Sequence, residues 1–579
     1  MLSQRIPVGL MILAGVVAVL AVLFSWGGAE GASPEAGAVG ESQGYYNSCV
    51  LFDAGKAEDY GVKCWGENDY GQLGDGTTIY RTVPVTAIAD GVVSVSVAWS
   101  HACALMGDGK IKCWGANNYG QLGFDPDDQT ALDDCDDGPG FESCSLSPIE
   151  VPGVEEVSEV LASSGAEEDG WTCALRGDFH AVQCWGFNTS GQLGDGTVAS
   201  RHTLRYVCAE GATYGPVWGC GFNVLTGVES ITSGTTFTCA LMKTIEKVKC
   251  WGANDSLAGG VPAGEVSDTC DVGFDIPCNL MPRTVCNDYD EANDKCDEDF
   301  SGALQISAGA GHVCARVTGD IAKCWGSNLL GMLGDGGGQT RYNPEYVCES
   351  GSGPACPPLG NVKFVAGGST SYHACARIDD EIEKTAMCWG YDSNGQLGNG
   401  DNLPNTQVLP VPVLILTDIT DISLGGLHTC ATDSGTLKCW GRNWEGQLGD
   451  GNGGWGIDSF TPVVVLFIIP ESKDTDGDGC TDIQELGLDE TLGGRRDPFN
   501  QYDWYDVASS SGEKIQDDIV DSDNDKAAVV AHILDYDVYF DRGAPPVGAD
   551  PWDMTAPDGS ITLGVDIVGV INQAGHSCA

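Results

Sequence analysis

The chain has 579 residues and carries 83 Asp and Glu against 28 Lys and Arg, a formal charge of −55 at pH 7. A field of that sign repels phosphate backbones and sets nucleic-acid binding aside, while 42% hydrophobic residues are enough for packed cores rather than disorder. The even count of 26 Cys points to an oxidising compartment.

In chain order, Arg5 precedes a 17-residue apolar run from Val8 to Phe24, and small residues follow at Gly27, Gly28 and Ala29. A basic start, an apolar middle and a small-residue end read as an export signal, yet that run is also at the lower limit for crossing a bilayer. Residues 1–28 are therefore a signal peptide or a retained N-terminal anchor, and residues 29–44 a linker. Either way the remainder is secreted or at the cell surface. Membrane contact is expected only through the first segment, if it stays uncleaved.

A repeat then dominates. Cys-Trp-Gly begins at Cys64, Cys113, Cys184, Cys250, Cys324, Cys388 and Cys439, and a glycine loop such as Gly71-Gln-Leu-Gly-Asp-Gly76 usually follows. Successive Trp residues lie 49, 71, 66, 74, 64 and 51 residues apart, so one structural unit recurs with insertions on loops. A second Cys precedes each motif across a short turn, as in Gly107-Asp-Gly109, and the flanks suit the two strands of a hairpin. Opposed residues at a non-hydrogen-bonded pair lie within disulfide reach. The expected bonds are Cys49–Cys64, Cys103–Cys113, Cys173–Cys184, Cys239–Cys250, Cys314–Cys324, Cys375–Cys388 and Cys430–Cys439.

The pattern His-x-Cys-Ala-Leu, a turn, Cys-Trp-Gly-x-Asn-x-x-Gly-Gln-Leu-Gly-Asp-Gly resembles the repeat of the regulator of chromosome condensation family in an exported form. The resemblance implies an all-β fold, a seven-bladed β-propeller of four-stranded blades over residues 45–470. It also implies that the recurring Trp packs between adjacent blades. No clear strand precedes Cys49, whereas Thr461 to Ile469 is strongly apolar, so that terminal strand is expected to complete blade one and close the ring. The namesake's nucleotide-exchange activity does not follow from the fold.

Five further pairs stand in the inter-repeat segments: Cys135–Cys144, Cys208–Cys220, Cys270–Cys278, Cys286–Cys296 and Cys348–Cys356, with swaps among Cys270, Cys278, Cys286 and Cys296 left open. Cys-x₂-Cys spacing is missing, which sets zinc aside. These stapled loops are expected to cluster on one propeller face. His101, His312, His373 and His428 occupy equivalent places, but Asn47, Trp171 and Phe237 fill that place in the other repeats. A position tolerating such variety reads as packing, and with no hydrolase or phosphate-loop motif present the chain reads as a non-enzyme.

Residues 471–579 form the last region. Asp474, Asp476 and Asp478 match places 1, 3 and 5 of a twelve-residue EF-hand loop. Gly479 makes its turn, Cys480 offers a carbonyl, Asp482 stands at place 9, and Glu485 is the bidentate ligand. All-oxygen ligands at this spacing select Ca²⁺. Asp553, Asp558 and Asp566 form a poorer match ahead of a helix-like stretch. Paired loop–helix units resemble the dockerin module, whose family partner is a cohesin, and the expected region is a small loop-helix, EF-hand/dockerin-like calcium-binding domain. Cys480 and Cys578 are the remaining Cys and are expected to pair. The sequence thus reads as a calcium-binding scaffold for an extracellular protein or glycan. Two alternatives remain: a secreted glycan hydrolase with its site in the insertions, and dockerin-mediated attachment to a cohesin-bearing complex.

Overall fold

The computed structural model describes residues 38–467, apart from short stretches of at most seven residues between or within strands. Among these residues every regular element is a strand, arranged in six sheets of four or more strands and one two-stranded hairpin. The calcium-loop residues Asp474 to Glu485, the weaker set Asp553, Asp558 and Asp566, the loop-helix domain and the Cys480–Cys578 pair lie outside the described residues.

The third repeat shows the plan. Val157–Ser164, Gly170–Arg176, Val182–Gly186 and Arg201–Tyr206 lie side by side and antiparallel. The second strand is buried along almost its whole length because both of its faces meet neighbours. Ala174 packs with Leu105 and Ile111 of the preceding repeat, whereas Trp171, Cys173 and Leu175 pack with Val228 and Ile231 of the next. Such a strand has no wet face, so its sequence is an unbroken small-or-apolar run instead of an alternation. In all seven hairpins the two Cys stand directly opposite each other. Their Cα atoms are 4.0–4.1 Å apart, the close spacing of a non-hydrogen-bonded pair. Twelve disulfides stand among the described residues, with no free Cys, which implies oxidising surroundings.

Three expectations are corrected. Seven separate four-stranded blades were expected, but the larger sheets number six, because the first two repeats share one eight-stranded sheet. Its strand Arg81–Val97 runs unbroken for 17 residues, pairing Val85 with Cys64 of the first hairpin and Ser96 with Cys103 of the second. Elsewhere a loop separates two such strands; here only Asp90-Gly91 punctuates the chain, and Gly91 at φ +80° turns without breaking it.

The ring also closes differently. A strand does precede Cys49: Ala38–Gln43, within the stretch expected as linker, pairs with Asn47–Lys56. The terminal strand Ser459–Val464 pairs with Thr436–Gly441 and completes the last repeat, not the first. The innermost strands adjoin in a closed circuit: Ala38–Gln43, Arg81–Val97, Val157–Ser164, Val228–Ser233, Ala303–Ala308, Val362–Ala366, Ile419–Leu424 and back to Ala38–Gln43.

Finally, the stapled insertions do not share one face. Strand direction alternates, so first-to-second turns and third-to-fourth loops emerge at one end, and links between repeats emerge at the other. Cys135–Cys144 and Cys270–Cys278 each tie a third-to-fourth loop to the first residues of a fourth strand and belong to the first end. Cys208–Cys220, Cys286–Cys296 and Cys348–Cys356 sit in the links and belong to the second.

Candidate functional site

The end carrying the first-to-second turns is built on two interlocked rings of hydrogen bonds. In the outer ring each recurring Trp is fully buried and its indole N–H donates to a backbone carbonyl in the preceding repeat's glycine loop. Trp114 reaches Gln72 at 2.8 Å, Trp185 reaches Gln121 at 2.9 Å, Trp251 reaches Gln192 at 2.8 Å and Trp325 reaches Ala258 at 3.0 Å. Trp389 reaches Met332 and Trp440 reaches Gln396, both at 2.9 Å. The loop carbonyl is held in place by an Asn: Asn68 Oδ1 accepts from Leu73 N at 2.9 Å, and Asn188 accepts from Leu193 in the same way. That is the local reason for the Asn-x₄-Leu spacing.

The inner ring contains the histidines. His101 Nε2 meets Thr172 Oγ1 at 3.1 Å, His373 meets Thr429 at 2.7 Å, and His428 meets Ser48 Oγ at 2.9 Å. Each hydroxyl gives its single proton to a Gln carbonyl: Thr172 to Gln121, Thr429 to Gln396, and Ser48 to Gln447. The hydroxyl therefore accepts, and the imidazole Nε2 is the donor. Burial pushes His101, His373 and His428 down to about 3 and His312 to about 4, so all four are neutral at pH 7. Asn47, Trp171 and Phe237 are buried in the same ring. At Gly425 a Cβ would lie 2.3 Å from His428 Cε1 and 2.5 Å from the Gly44 carbonyl, so this turn must be glycine.

Above these rings, at the junction of the first and last repeats, lies an aromatic cluster that the motif analysis did not single out. Tyr45 stacks on Trp99 with centroids 4.2 Å apart and planes 11° from parallel, and Tyr46 stands edge-on to both. The Arg442 guanidinium is held between the Tyr46 and Trp444 rings, 4.2 Å and 4.1 Å from their centroids. It donates to Tyr46 Oη at 3.1 Å and forms a bidentate pair with Glu445 at 2.6 and 3.2 Å. Tyr80 Oη donates to Asp69 Oδ2 at 2.7 Å. Burial raises the Tyr46 hydroxyl above its ordinary range; Arg442 opposes this, and Glu445 and Glu67 add to it. Burial raises Tyr80 as well, reinforced by Asp69, Glu67 and Glu445. Three carboxylates and one guanidinium thus surround a set of half-buried rings. The signal available in the sequence was aromatic residues outside Cys-Trp-Gly at turn positions, Tyr45, Tyr46 and Trp99, together with opposite charges, Glu67 and Arg442, at the same place in the first and last motifs.

Among the described residues no group of three His, Cys, Asp or Glu stands close enough to hold a metal ion.

Comparison with known proteins fits this architecture. Family models described as the regulator of chromosome condensation (RCC1) repeat match residues 62–105 and 388–432, and 92–121 and 419–447. The ultraviolet-B receptor UVR8 of Arabidopsis thaliana is 33% identical over 150 residues, 26% of this chain and 32% of the receptor. The mitochondrial RCC1 domain-containing protein RUG3 of the same plant is 30% identical over 171 residues, 29% of this chain and 35% of that protein. The human E3 ubiquitin-protein ligase HERC2 is 29% identical over 331 residues, 52% of this chain and 6% of the ligase. The chain therefore spans about a third or less of these relatives' lengths. Yeast RCC1 (Prp20) bound to Kap60 superposes with a TM-score of 0.52 at 18% identity, covering 74% of this chain and 86% of that one. Prp20p of Saccharomyces cerevisiae gives 0.50 at 16% identity over 75% and 88%. At such identities the likeness is one of fold. Over residues 62–121 and 388–447 the chain is similar to the regulator of chromosome condensation repeat, and its fold is an all-β propeller.

Proposed function

We propose that this chain is a disulfide-stapled binding scaffold that works outside the cytoplasm and takes a protein ligand at the aromatic end of its ring. The carrying observation is the cluster of Tyr45, Tyr46, Trp99, Arg442 and Trp444, drawn from three repeats and only partly buried. Aromatic rings and arginine are the side chains that anchor protein interfaces. Residues 1–28 direct export or anchor the chain, and Asp474, Asp476, Asp478, Cys480, Asp482 and Glu485 hold Ca²⁺ in a terminal module that could dock to a cohesin-like partner. Solved relatives bound to or studied with protein partners, Kap60 for one and Gsp1p and histones for another, support a protein ligand.

The test compares the full chain with Trp99→Ala and Trp444→Ala variants in pull-downs of extracellular proteins, beside a glycan array. Ligands captured by the native chain and lost from both variants support the reading. Glycan retention alone would make the ligand a sugar. Turnover of a glycan substrate that one acidic-residue substitution abolishes would make the chain a hydrolase instead.

A further inference from the structure

We propose that the outer edge of the third repeat, Arg201–Tyr206, takes up an extended segment of a partner protein in which apolar and acidic residues alternate. This surface is separate from the aromatic cluster and does not depend on it. The strand stands at the edge of its four-stranded sheet, where unpaired backbone groups can template an added strand. In six repeats the residue just before the one opposite the Cys-Trp-Gly cysteine is proline: Pro84, Pro148, Pro282, Pro344, Pro410 and Pro462. In the third repeat it is Leu204. Backbone direction gives that exchange its meaning. Cys173 and Cys184 form a non-hydrogen-bonded pair, so the peptide groups of Cys184 point towards the fourth strand and bond Arg205. Val207 N also points inward, donating to Val182 O at 2.9 Å. By alternation the N–H groups of Leu204 and Tyr206 point outward, and among the described residues no hydrogen bond takes either of them. Proline has no N–H and closes this place to an added strand; Leu204 leaves it open.

The side chains set the chemistry of the visitor. Leu204 and Tyr206 share one face, where Leu204 packs on the apolar cluster between the second and third repeats and Tyr206 is exposed. Arg205 stands on the other face and makes no ion pair among the described residues, whereas Arg201 is held by Asp195 at 3.0 Å. The strand itself, Arg-His-Thr-Leu-Arg-Tyr, contains no acid. Opposite charges directly across two strands stabilise the pair, and like charges destabilise it. An antiparallel visitor therefore sets apolar residues opposite Leu204 and Tyr206 and a carboxylate opposite Arg205. A second copy of the edge would oppose arginine to arginine. Exposed charges farther than about 8 Å are largely screened at physiological ionic strength, so Arg205 outweighs the net −55 at this contact.

The probe is a fluorescently labelled peptide of alternating valine and glutamate, titrated into the full chain at physiological ionic strength and read by anisotropy. Leu204→Pro installs the residue of the other six repeats and should weaken binding at least tenfold. Arg205→Gln should weaken it at least fivefold, and should leave the affinity for a valine–serine peptide within twofold. Methylating the backbone nitrogens of the peptide's valines should abolish binding, because those amides face Leu204 and Tyr206; methylating those of its glutamates should not. That comparison uses the native chain, so it decides the matter even where Leu204→Pro loses its fold. Native-strength binding by a folded Leu204→Pro variant, equal loss with both methylated peptides, or no binding of the unmodified peptide would overturn the proposal. If the native chain self-associates in analytical ultracentrifugation and Leu204→Pro does not, the occupant is a second copy and the acidic-segment assignment falls.

Discussion

The indole N–H of Trp65 donates to the backbone carbonyl of Gln447 at 2.8 Å, across 382 residues of sequence. It is the same bond that every other recurring Trp makes to its preceding repeat, so the first repeat treats the last as its predecessor. Ser48 gives its hydroxyl proton to the same carbonyl at 3.0 Å, and Gly426 N donates to Gly44 O at 3.2 Å. Val50 and Trp65 are buried with Cys430, Leu437, Leu448 and Val465 in one apolar cluster.

A junction built like the others should be as strong as the others. Trp65→Ala at the junction and Trp251→Ala within the ring should each cost about 3–5 kcal/mol. Urea denaturation followed by tryptophan fluorescence measures both. A Trp65 variant costing less than half as much as Trp251 would mean the ring is weakest where its ends meet.

Acid should unfold the protein through its inner ring. Unfolded imidazoles take up protons near 6.5, whereas His101, His373 and His428 do so only near 3 and His312 near 4. Between those limits the unfolded state binds more protons, so the stability is whole above pH 6.5 and drains as pH falls. The loss is about 1.4 kcal/mol per pH unit for each histidine. Denaturation midpoints from pH 7 to pH 4 should drop steeply, and less steeply in His373→Phe, which leaves one fewer group to protonate.

Glu159 should act in the opposite sense. On its inner strand it accepts from Ile231 N at 3.3 Å, the place where Gln305 one pair of repeats on bonds Val365 twice, accepting from its N–H and donating to its carbonyl. Desolvation pushes the Glu159 carboxyl up to about 8. The folded state therefore keeps a proton that the unfolded chain loses near 4.5, and the contribution of this group declines as pH rises from 4.5 to 8. Glu159→Gln should match the native chain at pH 5 and exceed it at pH 8 by about 2 kcal/mol, within the usual cost of an unsatisfied buried polar group. Paired melts at the two pH values decide it.

The repeat was legible because its motif residues do one job each, and the job is the same in every copy. Cys opposite Cys, Trp to the neighbouring carbonyl and Asn closing the glycine loop all leave a fixed spacing. The innermost strand of the first repeat was not legible: Ala38-Val-Gly-Glu-Ser-Gln43 lacks the second large apolar residue that Val228–Ser233 has in Ile231, and is defined by its backbone pairing with Asn47–Lys56. Thr461 to Ile469 misled for the converse reason, since an apolar run says that a strand is buried but not beside which partner. Arg81, Arg201 and Arg341 begin fourth strands 16 residues after Trp65, Trp185 and Trp325, and Ser459 follows Trp440 by 19. That spacing marked it as a fourth strand. The aromatic cluster escaped because its members come from three repeats and meet only when the circuit closes.

Removing one hairpin disulfide should weaken the fold without opening the ring. The double variant Cys239→Ala, Cys250→Ala releases a loop with a sequence separation of 11 and should cost about 2–3 kcal/mol. The Trp251 to Gln192 bond beside it is not covalent and should persist, leaving the hydrodynamic radius unchanged in size-exclusion chromatography. A marked expansion would show that the staple holds neighbouring repeats together.

Among the described residues no disulfide joins partners more than 15 positions apart. Each cysteine of these twelve bonds therefore meets its partner soon after leaving a ribosome or a pore, before the next motif has emerged. Correct oxidation needs no memory of distant sequence, and the number of wrong pairings stays small however many units are strung together. A ring closed only by packing and hydrogen bonds can then assemble last, from parts already locked. Assembly order, more than final strength, is what these short staples secure.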